Sequence, residues 1–137
     1  MSTYKFSVNV VVRHQSRRPH EIALALGWTP HNAWSSGDRR ITPTGRILPG
    51  IRQETMCIFR FEFDEKAAAS AVSEKVEQLL AKRSYLSELV ESGGSVALNL
   101  GLNGKFNASF DLSPDALRAL GELGIGLSVE CFPEGSP

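Results

Sequence analysis

Hydrophobic and polar residues alternate in two stretches of the chain, residues 4–13 and residues 55–63. A period of two places successive side chains on opposite faces of a strand, so each stretch predicts a strand with one buried face. The residues predicted to face the core are Phe6, Val8, Val10, Val12, Cys57, Phe59, Phe61 and Phe63. Each strand therefore has one apolar face, as expected in a sheet that is buried on one side.

Two short helices are predicted where a proline opens an apolar stripe of helical period and a glycine closes it. The first spans residues 19–26 and ends at Gly27. The other begins after Ser113, the predicted N-cap, and ends at Gly124. Their apolar positions are Ile22, Ala23, Leu26, Leu117, Leu120 and Leu123.

A long helix is predicted over residues 65–91, capped by Asp64 and stopped by Ser92-Gly93-Gly94. Lys75 and most other charged residues of the segment fall outside its apolar stripe, so we expect them to be solvated. The stripe consists of Val72, Val76, Leu79, Leu80, Leu86 and Val90.

The C-terminal half contains two further strand-like patterns. Residues 95–112 are predicted as a hairpin about Asn103-Gly104, with a three-residue loop that pairs Leu102 with Phe106 and keeps apolar residues opposite one another. A last strand follows the third helix. Its predicted inward residues are Ile125, Leu127, Val129 and Cys131.

The predicted order of elements indicates an α+β fold: a mainly antiparallel sheet of about five strands, with one long and two short helices on one face. The 137 residues, with 42% hydrophobic and 22% charged residues, are typical of a single globular domain, which we assign to residues 1–137. No apolar run approaches the ~20 residues that span a bilayer. The first residues lack the apolar core of a signal peptide, so we expect a cytoplasmic protein.

Candidate catalytic and metal-binding chemistry is sparse in this sequence. The positions of His14, His20 and His31 have no diagnostic metal-site spacing, and we expect three surface histidines. Cys57 and Cys131 continue inward-facing alternations, so we expect two buried free thiols. No serine lies in a nucleophile-elbow sequence and no phosphate-cradling glycine loop occurs. We therefore expect no metal, no cofactor and no catalytic residue.

Residues 28–52 have no usable period and are far longer than the usual connection of about 4–6 residues. A short strand near residues 40–42 is predicted to interrupt this segment. It contains both tryptophans, Trp28 and Trp34, of which Trp28 is expected to close the sheet beside the helix end. Its four arginines are Arg39, Arg40, Arg46 and Arg52.

The charge of the chain is divided unevenly although its formal net charge is zero. Residues 1–60 hold nine Lys or Arg and three Asp or Glu, which gives +6; residues 61–137 hold six and twelve, which gives −6. Chance and a solvated helix face account for such a division, and so does a basic surface for an anionic partner.

Several short sequences occur in an order that matches a known family. They are Glu21-Ile22, Leu26-Gly27-Trp28-Thr29-Pro30, Ala33-Trp34-Ser35-Ser36-Gly37-Asp38, Leu112-Ser113-Pro114, Leu117, Leu120 and Leu123-Gly124-Ile125-Gly126-Leu127-Ser128-Val129. Together they resemble the bacterial domain of unknown function 4279 family over nearly the whole chain. Cys57 stands where that family usually has a tryptophan, which is compatible with a core position. The resemblance implies a bacterial origin and an α+β fold, and it implies no activity or site residue.

Two function hypotheses remain open from the sequence. The first is a non-catalytic binding module that holds an acidic protein partner or a small anion through the segment at 28–52, with Arg and Trp as the residues favoured at binding hot spots. The second is a small enzyme whose pocket lies between that segment and the sheet. Nucleic acid is a weaker hypothesis than either, because no aromatic-basic strand motif occurs. No membrane partner is expected. Assembly into a homo-oligomer stays open. The predicted binding residues are Trp34, Arg39, Arg40, Arg46 and Arg52.

Overall fold

The computed structural model describes residues 6–104 and 111–132, with the side chain of Glu65 left aside. The strands are β1 (Phe6–His14), β2 (Asn32–Trp34), β3 (Arg39–Ile41), β4 (Ile47–Ile51), β5 (Thr55–Phe63), β6 (Ser95–Asn103) and β7 (Gly126–Phe132). The helices are α1 (Pro19–Leu26), α2 (Ala68–Ala81), α3 (Arg83–Glu91) and α4 (Pro114–Leu123). The predicted α+β class is confirmed, and the described residues form four α-helices in place of the three predicted.

Among the described residues, five strands form one mixed sheet in the order β2-β5-β1-β6-β7. The pairs β2–β5, β5–β1 and β1–β6 are antiparallel, whereas β6 and β7 are parallel. The predicted second strand of the hairpin covers residues 106–112, of which 106–110, with Phe110, lie outside the described residues; residues 111 and 112 are described and are not in a strand. β3 and β4 form a separate two-stranded antiparallel ribbon, which the sequence predicted only as one short strand near residues 40–42.

The predicted faces of β1, β5 and β6 are confirmed. Val8, Val10 and Val12 are fully buried, and the paired register places Cys57 and Phe59 beside them on the same side of the sheet. The helices cover this side: α1 lies against β5, α2 against β1 and α3 against β6, while α4 packs on α2 and α3. The core is therefore one layer between the sheet and the helices.

Local signals at the helix ends are confirmed. Gly27 and Gly124 adopt the left-handed conformation that closes α1 and α4. The Ser113 hydroxyl accepts a hydrogen bond from the Ala116 amide at 3.1 Å, as expected of an N-cap. The Asp64 carboxylate accepts from the Lys66 and Ala67 amides at 3.0 and 3.1 Å, and a 3-10 turn then leads into α2.

The single long helix predicted over residues 65–91 is wrong, because the chain breaks between α2 and α3. Lys82 leaves the helical region, with φ −106° and ψ 20°, and its amide donates to the Leu79 and Leu80 carbonyls. After the break, Leu86 is buried as the stripe predicted, but Leu89 is buried as well and Val90, which the stripe had placed in the core, is exposed. In α4, likewise, Leu117 is exposed and Ala119 is buried.

Lys75 was expected to be solvated and is buried instead. Its ammonium lies 3.7 Å from the centre of the Phe61 ring and 5.5 Å from that of Trp28, and it donates to Gln78 Oε1 at 3.0 Å. Burial lowers the pKa of the Lys75 ammonium, with the nearby Glu74 carboxylate opposing the shift. The rings supply the cation–π contact that a buried ammonium needs in place of water.

The prediction for the two thiols is half right. Cys57 is fully buried, with its Sγ 3.7 Å from the Pro19 carbonyl, and burial raises the pKa of its thiol to about 11. Cys131 is exposed, and the inward positions predicted with it, Leu127 and Val129, are also exposed. The reason is position in the sheet: β7 adjoins β6 at the end of the strand order, beyond the strands that the helices chiefly contact.

His14 corrects the prediction of surface histidines. It lies on the inward side of β1, is buried, and accepts at Nδ1 from the Ser16 and Arg17 amides at 3.1 and 3.0 Å. Its Nε2 donates to the Ser92 hydroxyl at 3.0 Å. This histidine therefore ties the end of β1 to the end of α3.

Candidate functional site

The segment between α1 and β5 is shaped by a tight turn at its base. The Asp38 carboxylate accepts from the Ser35 amide at 2.8 Å, and the Asp38 amide donates back to the Ser35 carbonyl at 3.1 Å. Arg52 then closes the ribbon, because its carbonyl accepts from Gly37 at 2.9 Å and its amide donates to Asp38 at 2.8 Å. The turn over residues 35–38 thus sets where β3 begins, and the pairing of Arg52 with Gly37 and Asp38 sets where β4 ends.

Two further hydrogen bonds join this base to the start of β5 and to the residues just before it. The Ser36 amide donates to the Thr55 hydroxyl at 3.0 Å, and the Ser36 hydroxyl lies 3.4 Å from the Gln53 carbonyl. Thr55 is itself buried at the start of β5. The ribbon is therefore anchored at its base. Its far end is a turn in which Gly45, with φ +89°, adopts a conformation that L side chains rarely take.

Trp34 and Arg52 form the centre of the candidate site. Trp34 ends β2, opposite Met56 of β5, and is half-buried. The guanidinium carbon of Arg52 lies 4.0 Å from the centre of the Trp34 ring, which is a cation–π stack. Stacking leaves the in-plane N–H donors of a guanidinium directed sideways, where they can meet a carboxylate or a phosphate.

A cleft opens on each side of this stack. The larger, of about 520 Å³, has Trp34, Arg52 and Arg39 on its walls; the smaller, of about 290 Å³, has Trp34, Arg52 and Arg40. Arg46 lines neither cleft and lies beside the turn of the ribbon, where its backbone pairs with Thr42. The structure thus groups four of the five predicted binding residues and leaves Arg46 apart.

The positive charges of the grouped arginines are not neutralised by ion pairs with described carboxylates. Within residues 6–104 and 111–132, no carboxylate forms an ion pair with Arg39, Arg40 or Arg52. The Arg52 Nε is enclosed and finds no hydrogen-bond acceptor among those residues. Glu54 lies on the wall of the smaller cleft but pairs with Arg13, at 3.8 Å. The donors of Arg39, Arg40 and Arg52 that face the clefts therefore have no carboxylate partner among those residues.

Three exposed isoleucines adjoin the arginines and were missed by the sequence reasoning. Ile41, Ile47 and Ile51 are between 51% and 59% exposed. The ribbon register pairs Ile41 with Ile47 and Arg39 with Ile51, and paired residues share a face. Their signal in the sequence was β-branched apolar residues within a Gly- and Pro-rich segment. We call Trp34, Arg39, Arg40, Ile41, Ile47, Ile51 and Arg52 the ribbon surface.

Trp28, the other tryptophan, belongs to the core side of the sheet, as expected. Its ring meets those of Phe59 and Phe61 edge-on at 5.6 and 5.1 Å between centroids. Trp28 is therefore excluded from the ribbon surface. Across the described part of the chain, no three His, Cys, Asp or Glu side chains gather as a metal site, and no helix there has the length and hydropathy to cross a bilayer.

Comparison with known proteins identifies the family. The family model described as Domain of unknown function (DUF4279) matches residues 2–131. The chain belongs to this family. The match confirms the resemblance seen in the sequence and spans both the ribbon and the sheet of this DUF4279 protein. No curated protein and no solved structure matches the chain.

Proposed function

We propose that this DUF4279 protein is a non-catalytic binding module whose ribbon surface holds an acidic segment of a partner protein. The observation that carries the proposal is the Arg52 guanidinium stacked on Trp34 at 4.0 Å, with Arg39 on the wall of the same cleft. Two guanidinium groups facing one cleft suit a carboxylate side chain, and the aromatic ring beneath one of them restricts its orientation.

The exposed isoleucines favour a protein over a small free anion. A small anion is bound by the arginines alone and gives no role to Ile41, Ile47 and Ile51. A peptide that alternates acidic and apolar side chains contacts both groups, since the ribbon register places Arg39 and Ile51 side by side. Exposed apolar residues beside Trp and Arg are also the composition of interface hot spots.

The test uses a fluorescent ten-residue peptide that alternates glutamate with isoleucine, and the same peptide with lysine in place of glutamate. We expect the acidic peptide alone to bind, with an affinity that falls as salt rises. Replacing Arg39 and Arg40 together by alanine should weaken binding about tenfold and flatten the salt dependence. Because exposed charges contribute about 0–1 kcal/mol, the free energy of unfolding should stay nearly unchanged.

The matched control replaces Arg83 and Arg118, two exposed arginines on α3 and α4, by alanine. This control removes the same charge from another surface and should preserve both affinity and salt response. Equal weakening by the two double variants would indicate non-specific attraction and contradict the ribbon surface. Displacement of the peptide by millimolar inorganic phosphate, with no loss on Ile47→Ala, would instead indicate a small-anion site.

A further inference from the structure

The sheet face opposite the helices carries a row of polar side chains across four strands. The register aligns Arg60 of β5 with Asn9 of β1, Asn9 with Asn99 of β6, and Asn99 with Ser128 of β7. Adjacent strands lie about 4.8 Å apart, so the distance from Arg60 to Ser128 is about 14 Å and that from Asn9 to Ser128 about 10 Å. The row borders a cleft of about 610 Å³, which is within the range of about 300–1,000 Å³ typical of small-molecule sites.

A continuous chain of hydrogen bonds fixes the orientation of these side chains. The Asn9 amide nitrogen donates to the Ser7 hydroxyl and to Asn99 Oδ1, each at 3.3 Å. The Asn99 amide nitrogen donates to the Ser128 hydroxyl and to Glu130 Oε1, each at 2.9 Å. Both amide nitrogens thus have two acceptors within the row, and the network holds three strands in one arrangement. We call Ser7, Asn9, Asn99, Ser128 and Glu130 the amide row.

The amide row keeps both hydrogen-bond donors and hydrogen-bond acceptors that its own side chains do not use. Within the described residues, Asn9 Oδ1 and the second oxygen of Glu130 accept no hydrogen bond from a side chain. The exposed Ser128 hydroxyl accepts and still has its own proton to donate, whereas Ser7 is buried and only orients the Asn9 amide. A ligand that fits this row must therefore offer donors and acceptors at close intervals, which a polyhydroxylated molecule does.

Small residues keep the face open beside an aromatic wall. A Cβ at Gly101 would lie 2.5 Å from the Ser7 hydroxyl oxygen, so a larger residue there would displace that hydroxyl, and 3.7 Å from Cε2 of Phe132, which is an ordinary contact. The Phe132 ring lines the same cleft and is 47% exposed. An exposed ring beside hydroxyl-binding groups offers a platform for the C–H face of a sugar.

The charges around the cleft favour a neutral ligand. At the β5 end, Arg60 pairs with Glu62 at 3.5 Å and Arg13 pairs with Glu54 at 3.8 Å. At the β7 end, the Glu130 carboxylate presents only acceptors and carries a negative charge, which repels phosphate and carboxylate ligands. A neutral molecule rich in hydroxyl groups satisfies the row without an unpaired charge.

We propose that the amide row and Phe132 form a binding site for a neutral saccharide, with two sugar rings spanning the row. This site is separate from the ribbon surface and does not depend on it. The Asn9, Asn99 and Glu130 side chains hold sugar hydroxyls, and the Phe132 ring contacts the apolar face of one ring. The site needs no bond to be made or broken.

The test records the amide signals of the full-length protein by two-dimensional NMR during titration with maltose, lactose, cellobiose or diacetylchitobiose. We expect at least one of these to shift the side-chain amide signals of Asn9 and Asn99. Asn99→Leu should lower the affinity at least about tenfold, because it removes the centre of the row. Glu130→Gln, a change at an exposed position that keeps the shape, should lower it less. Both variants are first checked for a native thermal melt.

Two controls make the outcome decisive. The Arg39→Ala and Arg40→Ala double variant should bind the sugar as the wild type does, since these residues line other clefts. Inorganic phosphate and glycylglycine should leave the Asn9 and Asn99 signals in place. The proposal is overturned if all four sugars leave these signals unmoved, if phosphate or glycylglycine moves them instead, or if a folded Glu130→Gln variant binds sugar more tightly than the wild type.

Discussion

The strands β5 and β7 have a similar alternation of apolar and polar residues but differ in how deeply their apolar faces are buried. Each alternates apolar and polar residues and each carries a cysteine on its apolar side, Cys57 in β5 and Cys131 in β7. In β5, Cys57 and Phe59 are fully buried beneath the helices, whereas in β7 Leu127 and Val129 are 41% and 50% exposed. Alternation therefore fixes which side chains share a face, while burial depends on what lies over that face.

The largest expected effect is on stability, and it follows this difference directly. Phe59→Ala removes a fully buried aromatic ring and should lower the free energy of unfolding by about 3–5 kcal/mol. Val129→Ala removes a half-exposed side chain from the matching face of β7 and should cost less than about 1 kcal/mol. Denaturant unfolding of the two variants measures both. Similar losses would show that β7 is covered in solution.

The two thiols provide a kinetic version of the same comparison. We expect Cys131 to react with a disulfide reagent in the native protein at least about 100-fold faster than Cys57, because access to Cys57 requires opening of the core. Cys131→Ser should remove the fast phase and Cys57→Ser should leave it. Rapid reaction of Cys57 would contradict the packing of β5 under α1.

The smallest expected effect is a pH dependence of the contribution that the buried Cys57 thiol makes to the free energy of unfolding. Burial raises the pKa of Cys57 from 9.0 to about 11, so the unfolded chain loses this proton first as the pH rises. The contribution of the thiol to stability should be intact below about pH 9 and should disappear between about pH 9 and 11. It is measured as the difference in unfolding free energy between wild type and Cys57→Ala across that range. Cys131→Ala serves as the control and should parallel the wild type.

Much of the architecture could be predicted because its signals are local. The strand over residues 55–63 and the helix over residues 19–26 were predicted with the bounds observed, since alternation, Pro19 and Gly27 all act within a few residues. The break at Lys82 could not be predicted in this way, because neither glycine nor proline occurs there and the neighbouring residues favour a helix. The burial of Lys75 likewise depends on Phe61 and Trp28, which are distant in sequence.

The two candidate sites likewise differ in how much of each could be predicted from local sequence signals. The sequence indicated that residues 28–52 were unusual and named Trp34, Arg39, Arg40 and Arg52, but it also included Arg46, which the ribbon places apart from the two clefts. The pairing of β3 with β4, with strands of only three and five residues, left no period to detect. The amide row gave no local signal, because Asn9, Asn99 and Ser128 become neighbours only through strand pairing.

By itself, the sequence determined most strand faces and the caps of the helices, because each of these depends on side chains only a few positions apart. It also determined the class of fold and the family, because these follow from the order of elements and motifs along the chain. The tertiary structure decided the parallel pairing of β6 with β7, the exposure of Cys131, the stack of Arg52 on Trp34 and the amide row. The pairing, the stack and the amide row each join residues from different elements. The exposure of Cys131 depends on whether a helix covers its strand. Periodicity along one strand carries no information about that cover, so only the assembled layers determine it.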